Sequence, residues 1–226
     1  MRQLKMGFYA KAAVASMTMV AILILTMAPA RARGDTEMTT VTDEAFLAVA
    51  PLKQALALKE EGYLPTWSSS GRMDNDPVQI YRYQPDPAQI RLEGAHFSAV
   101  VSDSGRLKGF SRINPDLIAA VTLTKAETET IAQRFLAEYA PDLLPNMDVQ
   151  WVDLHDEPVL NAAGVTQTLT GMKVKARDRQ TGLYFWVIAA ADGSVMIFER
   201  DINWNFTVGG RQTEKWLHDS WLVAQL

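Results

Sequence analysis

The chain has 226 residues, no cysteine and a formal net charge of −4. Without cysteine, disulfides, thiol catalysis, thiolate metal sites and lipid attachment at a cysteine are excluded. The acidic balance and the lack of a Lys/Arg cluster also argue against a nucleic-acid partner, because such proteins need a basic surface to neutralise phosphates.

Residues 1–32 have the three parts of a secretory signal peptide. A basic flank is followed by an apolar run over residues 12–27 and then by small residues at alternate positions in APARARG. We expect cleavage after Ala30 or Ala32. An uncleaved membrane anchor is the alternative, but the run has 16 residues, whereas a spanning helix needs about 20.

Removal of residues 1–32 would take away four basic and no acidic residues, which leaves 18 Lys and Arg against 26 Asp and Glu. No other segment is as long and apolar, so the sequence predicts no membrane span after cleavage. Residues 33–226 are expected to form a single exported domain, in the periplasm or outside the cell. A chain of this length can bury about 70% of its surface and needs no disulfides to build a core.

The first predicted element is a helix within residues 41–65. It begins with Val-Thr, a capping pattern, and Phe46, Val49 and Leu56 form its apolar stripe. Pro51 is expected to kink or restart the helix.

The next segment, residues 65–89, is rich in Ser, Asp and Pro. It is interpreted as a long loop with one short strand, VQIYRY. Tyr81 and Tyr83 would share a face of that strand, where packing into the core is favoured over an exposed aromatic platform.

A hairpin is predicted in residues 97–114, FSAVVSDSGRLKGFSRIN, and a second helix follows it. This helix begins with a capping box between Thr124 and Glu127, and Pro141 ends it. Its apolar stripe consists of Ile131, Phe135, Leu136 and Tyr139.

The second hairpin is YFWVIAAADGSVMIFERD, whose first strand is apolar on both faces. Asp192-Gly193 predicts a tight turn, because glycine accepts the positive φ that such turns demand. The return is interpreted as one long strand from Met196 to Val208, with even positions buried and odd positions exposed. Arg200 interrupts the row of buried residues. Either it marks a β-bulge, or its aliphatic stem lies along apolar surface while its guanidinium stays in water.

The two halves of the chain share the order helix, linker and hairpin. Residues 97–114 align with residues 185–203 with one gap, and in both Phe opens the first strand and Phe-x-Arg precedes Asn. This similarity predicts sub-repeats at 41–114 and 123–203, with coincidence between two ordinary α+β units as the alternative. Helices grouped against antiparallel strands predict an α+β fold with a helix packed on an antiparallel β-sheet.

The segment from Leu123 to Asn203 resembles the PepSY family of exported bacterial domains. The resemblance rests on LTKAETETIAQRFLAEY, then a strand, then the strand pair around Asp-Gly in TGLYFWVIAAADGSVMIFERD. A degenerate second copy would occupy residues 41–114. The segment departs from the family pattern in one respect, because the insert DLHDEPVLNAAGVTQTLTG is long for the family. The resemblance implies a helix packed on an antiparallel sheet, in a domain located outside the cytoplasm. It also implies a non-catalytic role, inhibitory or regulatory, alongside secreted peptidases.

Few residues suggest catalytic chemistry. His96, His155 and His218 lack metal-ligand spacing, and HDE at 155–157 is interpreted as a solvated loop rather than a cation site. DNDP at 74–77 lacks the Gly and the final Glu of a calcium loop. A Ser-His-Asp triad assembled from distant residues stays open, because triads are defined by geometry. The sequence therefore predicts no metal site and no cofactor.

The C-terminal segment, residues 204–226, holds half of the six tryptophans. It is expected to reverse at its Gly-Gly pair and dock on the sheet, because so much apolar surface must be buried. The alternative is a patch that binds a partner. The candidate binding residues are Arg211, Trp216, His218, Asp219 and Trp221.

These observations favour a non-catalytic binding, inhibitory or regulatory module that acts on a peptide or protein partner in the cell envelope. A small secreted hydrolase with an active site that follows no motif, and an envelope structural protein, are the alternatives. The lack of a nucleophile motif and of clustered histidines favours the binding module.

Overall fold

The computed structural model describes residues 50–56 and 62–223 of the chain. The predicted signal peptide and most of the first predicted helix, with Phe46 and Val49, lie outside the described residues. Within them, the helices are α1 (Ala50–Ala55), α2 (Lys125–Tyr139) and α3 (Asp219–Val223), with 3-10 turns at Pro115–Leu117 and Pro141–Asn146. The strands are β1 (Leu64–Met73), β2 (Asp76–Gln84), β3 (His96–Ser102), β4 (Leu107–Ile113), β5 (Met147–Leu160), β6 (Thr166–Asp178), β7 (Tyr184–Ala189), β8 (Val195–Ile202), β9 (Trp204–Asn205) and β10 (Gly210–Arg211).

Eight strands form one antiparallel sheet in the order β1-β2-β3-β4-β8-β7-β6-β5, and β9 pairs with β10 in a small separate sheet. Each half of the chain forms a four-stranded meander, and the two meanders meet where β4 pairs with β8. Phe110 lies opposite Phe198 in that pair, and the sequence alignment matches the same two residues. The fold is mostly sheet with a few helices, which agrees with the α+β class, and the sub-repeats stay a prediction.

Helix α2 lies on one face of the sheet and forms a core with it. Its predicted capping box is confirmed, because the Glu127 N–H donates to Thr124 Oγ1 at 3.3 Å and the Thr124 N–H donates to Glu127 Oε2 at 2.8 Å. The Phe135 ring lies 5.8 Å from the ring of Phe110 and 5.1 Å from that of Phe198. The helix therefore contacts both halves of the sheet.

The opposite face carries a second apolar cluster, which includes residues of the C-terminal segment. Trp216, Leu217 and Leu222 are buried in this cluster. A Cβ atom at Gly71 of β1 would lie 3.0 Å from the Trp216 ring, so a glycine there lets the ring approach the strand closely. The central strands are consequently buried on both faces.

The interpretation of residues 65–89 as a long loop is wrong. Most of the segment forms the β1–β2 hairpin, with β1 at one edge of the sheet. Trp67 is buried in β1 although polar residues surround it in the sequence. Tyr81 and Tyr83 are both buried in the core on the α2 side, which is the alternative that the sequence favoured.

Strand β8 is shorter than predicted, and its side chains do not follow one alternation. It ends at Ile202, whereas Phe206 and Val208, predicted to be buried, are exposed in the turn between β9 and β10. Two register shifts against β7, one beside Met196 and one after Glu199, each insert an extra residue. A β-bulge reverses the face that the following side chains occupy, so counting even and odd positions assigned them wrongly.

Arg200 lies in the second of these bulges, in agreement with one of its two predicted roles. Its head group is not in water, because the side chain is 2% exposed and pairs with Asp142 and Asp201. Arg200 Nη1 donates to Asp142 Oδ1 at 2.9 Å. This contact joins β8 to the 3-10 turn that follows α2.

Candidate functional site

A cleft of about 690 Å³ lies between the sheet and the C-terminal segment. We call it the sheet-face cleft. Strands β3 to β8 supply its floor, and residues between 204 and 220 supply its cover. The floor residues alternate along their strands with residues that pack on the other face of the sheet, because successive side chains of a strand point to opposite faces.

Two buried ion pairs attach the C-terminal segment to the sheet. Arg211 of β10 pairs with Glu199 of β8, with Nη2 2.8 Å from Oε1 and Nη1 donating to Oε2 at 3.0 Å. Arg82 of β2 donates to both carboxylate oxygens of Asp219, at 2.6 and 3.2 Å, and the Glu93 N–H also donates to that carboxylate. A two-point contact between guanidinium and carboxylate fixes the orientation of both groups, so the cover of the cleft has a defined position.

His155 and Glu157 lie on β5, where a solvated loop was predicted, and that prediction is wrong because the β5–β6 ladder continues through them. His155 Nε2 lies 2.8 Å from Glu157 Oε1. Burial acts to raise the pKa of Glu157, but the hydrogen bond with His155 and nearby positive charges lower it overall. Burial lowers the pKa of His218, against the opposing effect of Glu199 and Glu157. Glu157 and Glu199 therefore each have a partner within the cleft.

Lys173 and Lys175 project from the same face of β6 and form no ion pair with any described residue. Lys173 Nζ lies 4.1 Å from the centre of the Trp186 ring, and Lys175 Nζ lies 4.2 Å from that of Trp204. Burial lowers the pKa of both lysines, that of Lys173 to about 8, to which the charge of Lys175 also contributes. Glu199 and Glu157 attract Lys173 and act to raise its pKa, but neither lies within ion-pair distance of it. Ring faces attract an ammonium group without neutralising it, so among the described residues neither lysine has a carboxylate in ion-pair contact.

Ser111 and His96 make the contact expected of a catalytic pair, with Ser111 Oγ 3.3 Å from His96 Nε2. His96 Nδ1 lies 2.8 Å from the carbonyl oxygen of Gly94, whereas a catalytic triad has a carboxylate at this position. Burial, and then the charge of Arg82, lower the pKa of His96 to about 4. An imidazole with this pKa is a weak general base at neutral pH, so the pair gives no support to a hydrolase.

The five candidate residues from the sequence fall into two groups. Arg211, His218 and Asp219 line the sheet-face cleft. Trp216 and Trp221 lie outside its lining, with their ring centres 4.5 Å apart in the apolar cluster. Trp216 is therefore a core residue in this structure, and Trp221 is partly buried against the same cluster.

Sequence reasoning missed the residues that the strands contribute to the site. His155, Glu157, Lys173, Trp186 and Glu199 line the cleft, and Lys175 lies beside it, over the ring of Trp204. The alternation Lys-Val-Lys on β6 was a usable signal, because it places two lysines on one face of a strand whose other face is apolar. Its meaning depended on neighbours from β5, β7 and β9, which are distant in the sequence.

No group of three or more His, Asp or Glu side chains in residues 50–56 and 62–223 is placed to hold a metal ion. In the DNDP segment, Asp76 lies 2.5 Å from the ammonium of Lys108. Across the same described part of the chain, no helix has the length and hydrophobicity to span a bilayer.

Comparison with known proteins gives one distant structural neighbour to report. No protein-family model and no curated protein matches the chain. Among solved structures, the C-terminal domain of YpeB from Bacillus megaterium is 15% identical over 72% of this chain, with a TM-score of 0.24. This chain spans 66% of that one, less than two thirds of its length. The similarity is too low to indicate a function, which is therefore argued from the cleft.

Proposed function

We propose that this protein is an exported, non-catalytic binding module that takes a peptide segment of a protein partner in the sheet-face cleft. The observation that carries the proposal is the pair Lys173 and Lys175, which lie beside tryptophan rings with no carboxylate of the described residues in ion-pair contact. Unpaired charge, aromatic surface and room for side chains equip a cleft for ligand recognition. The resemblance to the PepSY family implies the same class of role, a regulatory or inhibitory one in the cell envelope.

Exposed apolar side chains near the cleft provide further contact surface for a partner. Phe206 and Val208 are 73% and 67% exposed in the turn between β9 and β10, next to glycines that line the cleft. Trp151 of β5 is 43% exposed and lies close to both lysines of β6. Protein-binding surfaces combine such apolar anchors with a few polar groups. This combination supports a peptide or protein partner rather than a small ion alone.

Selection of a displayed library of random peptides against the purified protein tests the proposal. We expect enriched peptides whose binding is lost in Trp204→Ala, because Trp204 lines the cleft. Trp67→Ala is the matched control, since Trp67 belongs to the same apolar cluster but lies outside the cleft lining. Melting temperatures of both variants separate loss of folding from loss of binding. A library without binders, or binders that tolerate Trp204→Ala, would contradict the proposal.

A further inference from the structure

Lys173 and Lys175 are held as a pair of like charges at a defined spacing. Residues i and i+2 of a strand project from one face, with Cα atoms about 6.6 Å apart. The ring centre of Trp151 lies 5.9 and 5.7 Å from the two ammonium groups. Trp186 lies 4.1 Å from the first ammonium and Trp204 lies 4.2 Å from the second. The rings therefore position both ammonium groups without supplying a negative charge.

The acids around the pair are engaged elsewhere. Asp153 lies opposite Lys173 on β5, but its exposed carboxylate forms no ion pair with the lysine and accepts a hydrogen bond from the Leu154 N–H at 2.9 Å. The other charged or titratable side chains near the pair are Arg177 on the same face of β6, His155 and Glu157 of β5, Tyr184 of β7, Glu199 of β8, Arg211 of β10 and His218 before α3. The two glutamates lie within 2.8 Å of His155 and Arg211, respectively. An anion from outside the chain would therefore relieve the repulsion between the two lysines.

We infer that the lysine pair binds two carboxylates at alternate positions of an extended peptide, a Glu/Asp-x-Glu/Asp segment of the partner. This inference rests on the proposed function and names the chemistry of its ligand. In an extended peptide, side chains i and i+2 share one face at the same spacing of about 6.6 Å. Each carboxylate then meets one ammonium group, and the intervening side chain points away from the lysines.

Two carboxylates fit the pair better than one phosphate group does. Phosphate sites in proteins commonly use arginine forks or free backbone N–H groups at helix N-termini and loops. The backbone of β6 is paired on both sides, with β5 and β7. Of the two arginines near the lysines, Arg211 is engaged with Glu199, and Arg177, two residues along β6 from Lys175, donates from Nε to the carbonyl oxygen of Gly182 at 3.0 Å. Two separate point charges on one strand favour two separate monoanions.

Two isomeric blocked pentapeptides test the spacing. Acetyl-Ser-Glu-Ser-Glu-Ser-amide has the alternate glutamates, and acetyl-Ser-Glu-Glu-Ser-Ser-amide has the same composition and charge with adjacent ones. NMR titration of the labelled protein at low salt measures both dissociation constants. We expect the alternate peptide to bind at least about fivefold more tightly, with amide shifts centred on β5, β6 and β7. Equal binding of the isomers, or shifts centred elsewhere, overturns the inference.

Substitution of the lysines tests the site. Lys173→Met/Lys175→Met removes both charges and keeps most of each side chain's length. Lys125→Met is the matched control, because Lys125 is exposed on α2 on the other face of the sheet. We expect the double variant to lose the preference for alternate glutamates and the control to keep it. A double variant that folds and still discriminates between the isomers overturns the inference.

Binding should also fall with rising pH. The pKa of Lys173 is about 8, so affinity for the alternate peptide should drop at least about tenfold between pH 7 and pH 10. Lys173→Arg/Lys175→Arg stays charged in this range and should bind without that drop. A wild-type affinity that is flat to pH 10, or inorganic phosphate that binds the pair more tightly than the alternate peptide, overturns the carboxylate assignment. If library selection still yields cleft binders without acidic residues, the proposed function stands and only the acidic motif fails.

Discussion

Asp219→Asn tests how the C-terminal segment is held over the sheet-face cleft. The substitution removes the charge that pairs with Arg82 and keeps the size of the side chain. The Arg82 side chain is 3% exposed and that of Asp219 is 11% exposed, and the guanidinium donates to both carboxylate oxygens at 2.6 and 3.2 Å. In the variant, a buried cation would lack its counterion.

The expected loss of stability is large. Removing one partner of a buried ion pair costs about 3–5 kcal/mol. In a protein of this length each kcal/mol lowers the melting temperature by roughly 2–4 °C, so we expect a fall of roughly 6–20 °C. Arg82→Met with Asp219→Leu removes both charges and should recover much of the loss, because an apolar replacement of a buried pair is often neutral.

Thermal unfolding at pH 7, followed by circular dichroism, measures the wild type, the single variant and the double variant. A single variant that melts within about 2 °C of the wild type would show that the Arg82 charge reaches water. A double variant no more stable than the single one would show that the loss comes from shape rather than from charge. Either result would refute the reasoning.

The same ion pair predicts a loss of stability in acid. Burial acts to raise the pKa of Asp219, but the charges of His96 and Arg82 outweigh it and hold the folded-state pKa below the usual 3.8. The stabilisation is present above the unfolded-state pKa of about 3.9 and is lost as the pH falls through the folded-state pKa. The difference in melting temperature between wild type and Asp219→Asn should therefore narrow only below about pH 4. A difference that narrows between pH 5 and pH 7 would contradict this assignment.

Three further predictions concern the core, the C-terminal segment and export. Phe198→Ala and Trp186→Ala should each lower the free energy of unfolding by about 3–5 kcal/mol, because these side chains are 0% and 5% exposed. Urea unfolding measures the change, and wild-type stability in either variant would place that side chain outside the core. Deletion of residues 211–226 removes buried apolar side chains and two ion-pair partners, so we expect a lower melting temperature or aggregation. A truncated protein of unchanged stability would argue against docking of the C-terminal segment on the sheet. Mass spectrometry of the exported protein should find Arg31 or Arg33 at the N-terminus, and an uncleaved chain on membranes would overturn the predicted cleavage.

Elements whose signals lie within a few residues could be predicted from the sequence. The Thr124–Glu127 capping box marks the start of α2, because a helix end depends on contacts three residues apart. Asp192-Gly193 marks the β7–β8 turn, where Gly193 has a φ of +84°, as such a turn requires. Composition alone was a poorer guide, since the polar residues 65–89 form strands whose pairing and burial depend on distant partners.

The sequence by itself carries the Lys-Val-Lys alternation that puts Lys173 and Lys175 on one face of a strand, because alternation is a property of the local chain, although this signal was not used in the prediction. Only the tertiary structure decided that these lysines have no ion-pair contact among the described residues, since their neighbours come from β5, β7, β8, β9 and β10. The Arg82–Asp219 pair joins residues 137 positions apart. Glu199 was predicted to be exposed, but it is buried in the cleft because the C-terminal segment covers it and Arg211 pairs with it. Periodicity is set by residues adjacent in the chain, whereas burial, pairing and charge compensation are set by residues adjacent in space.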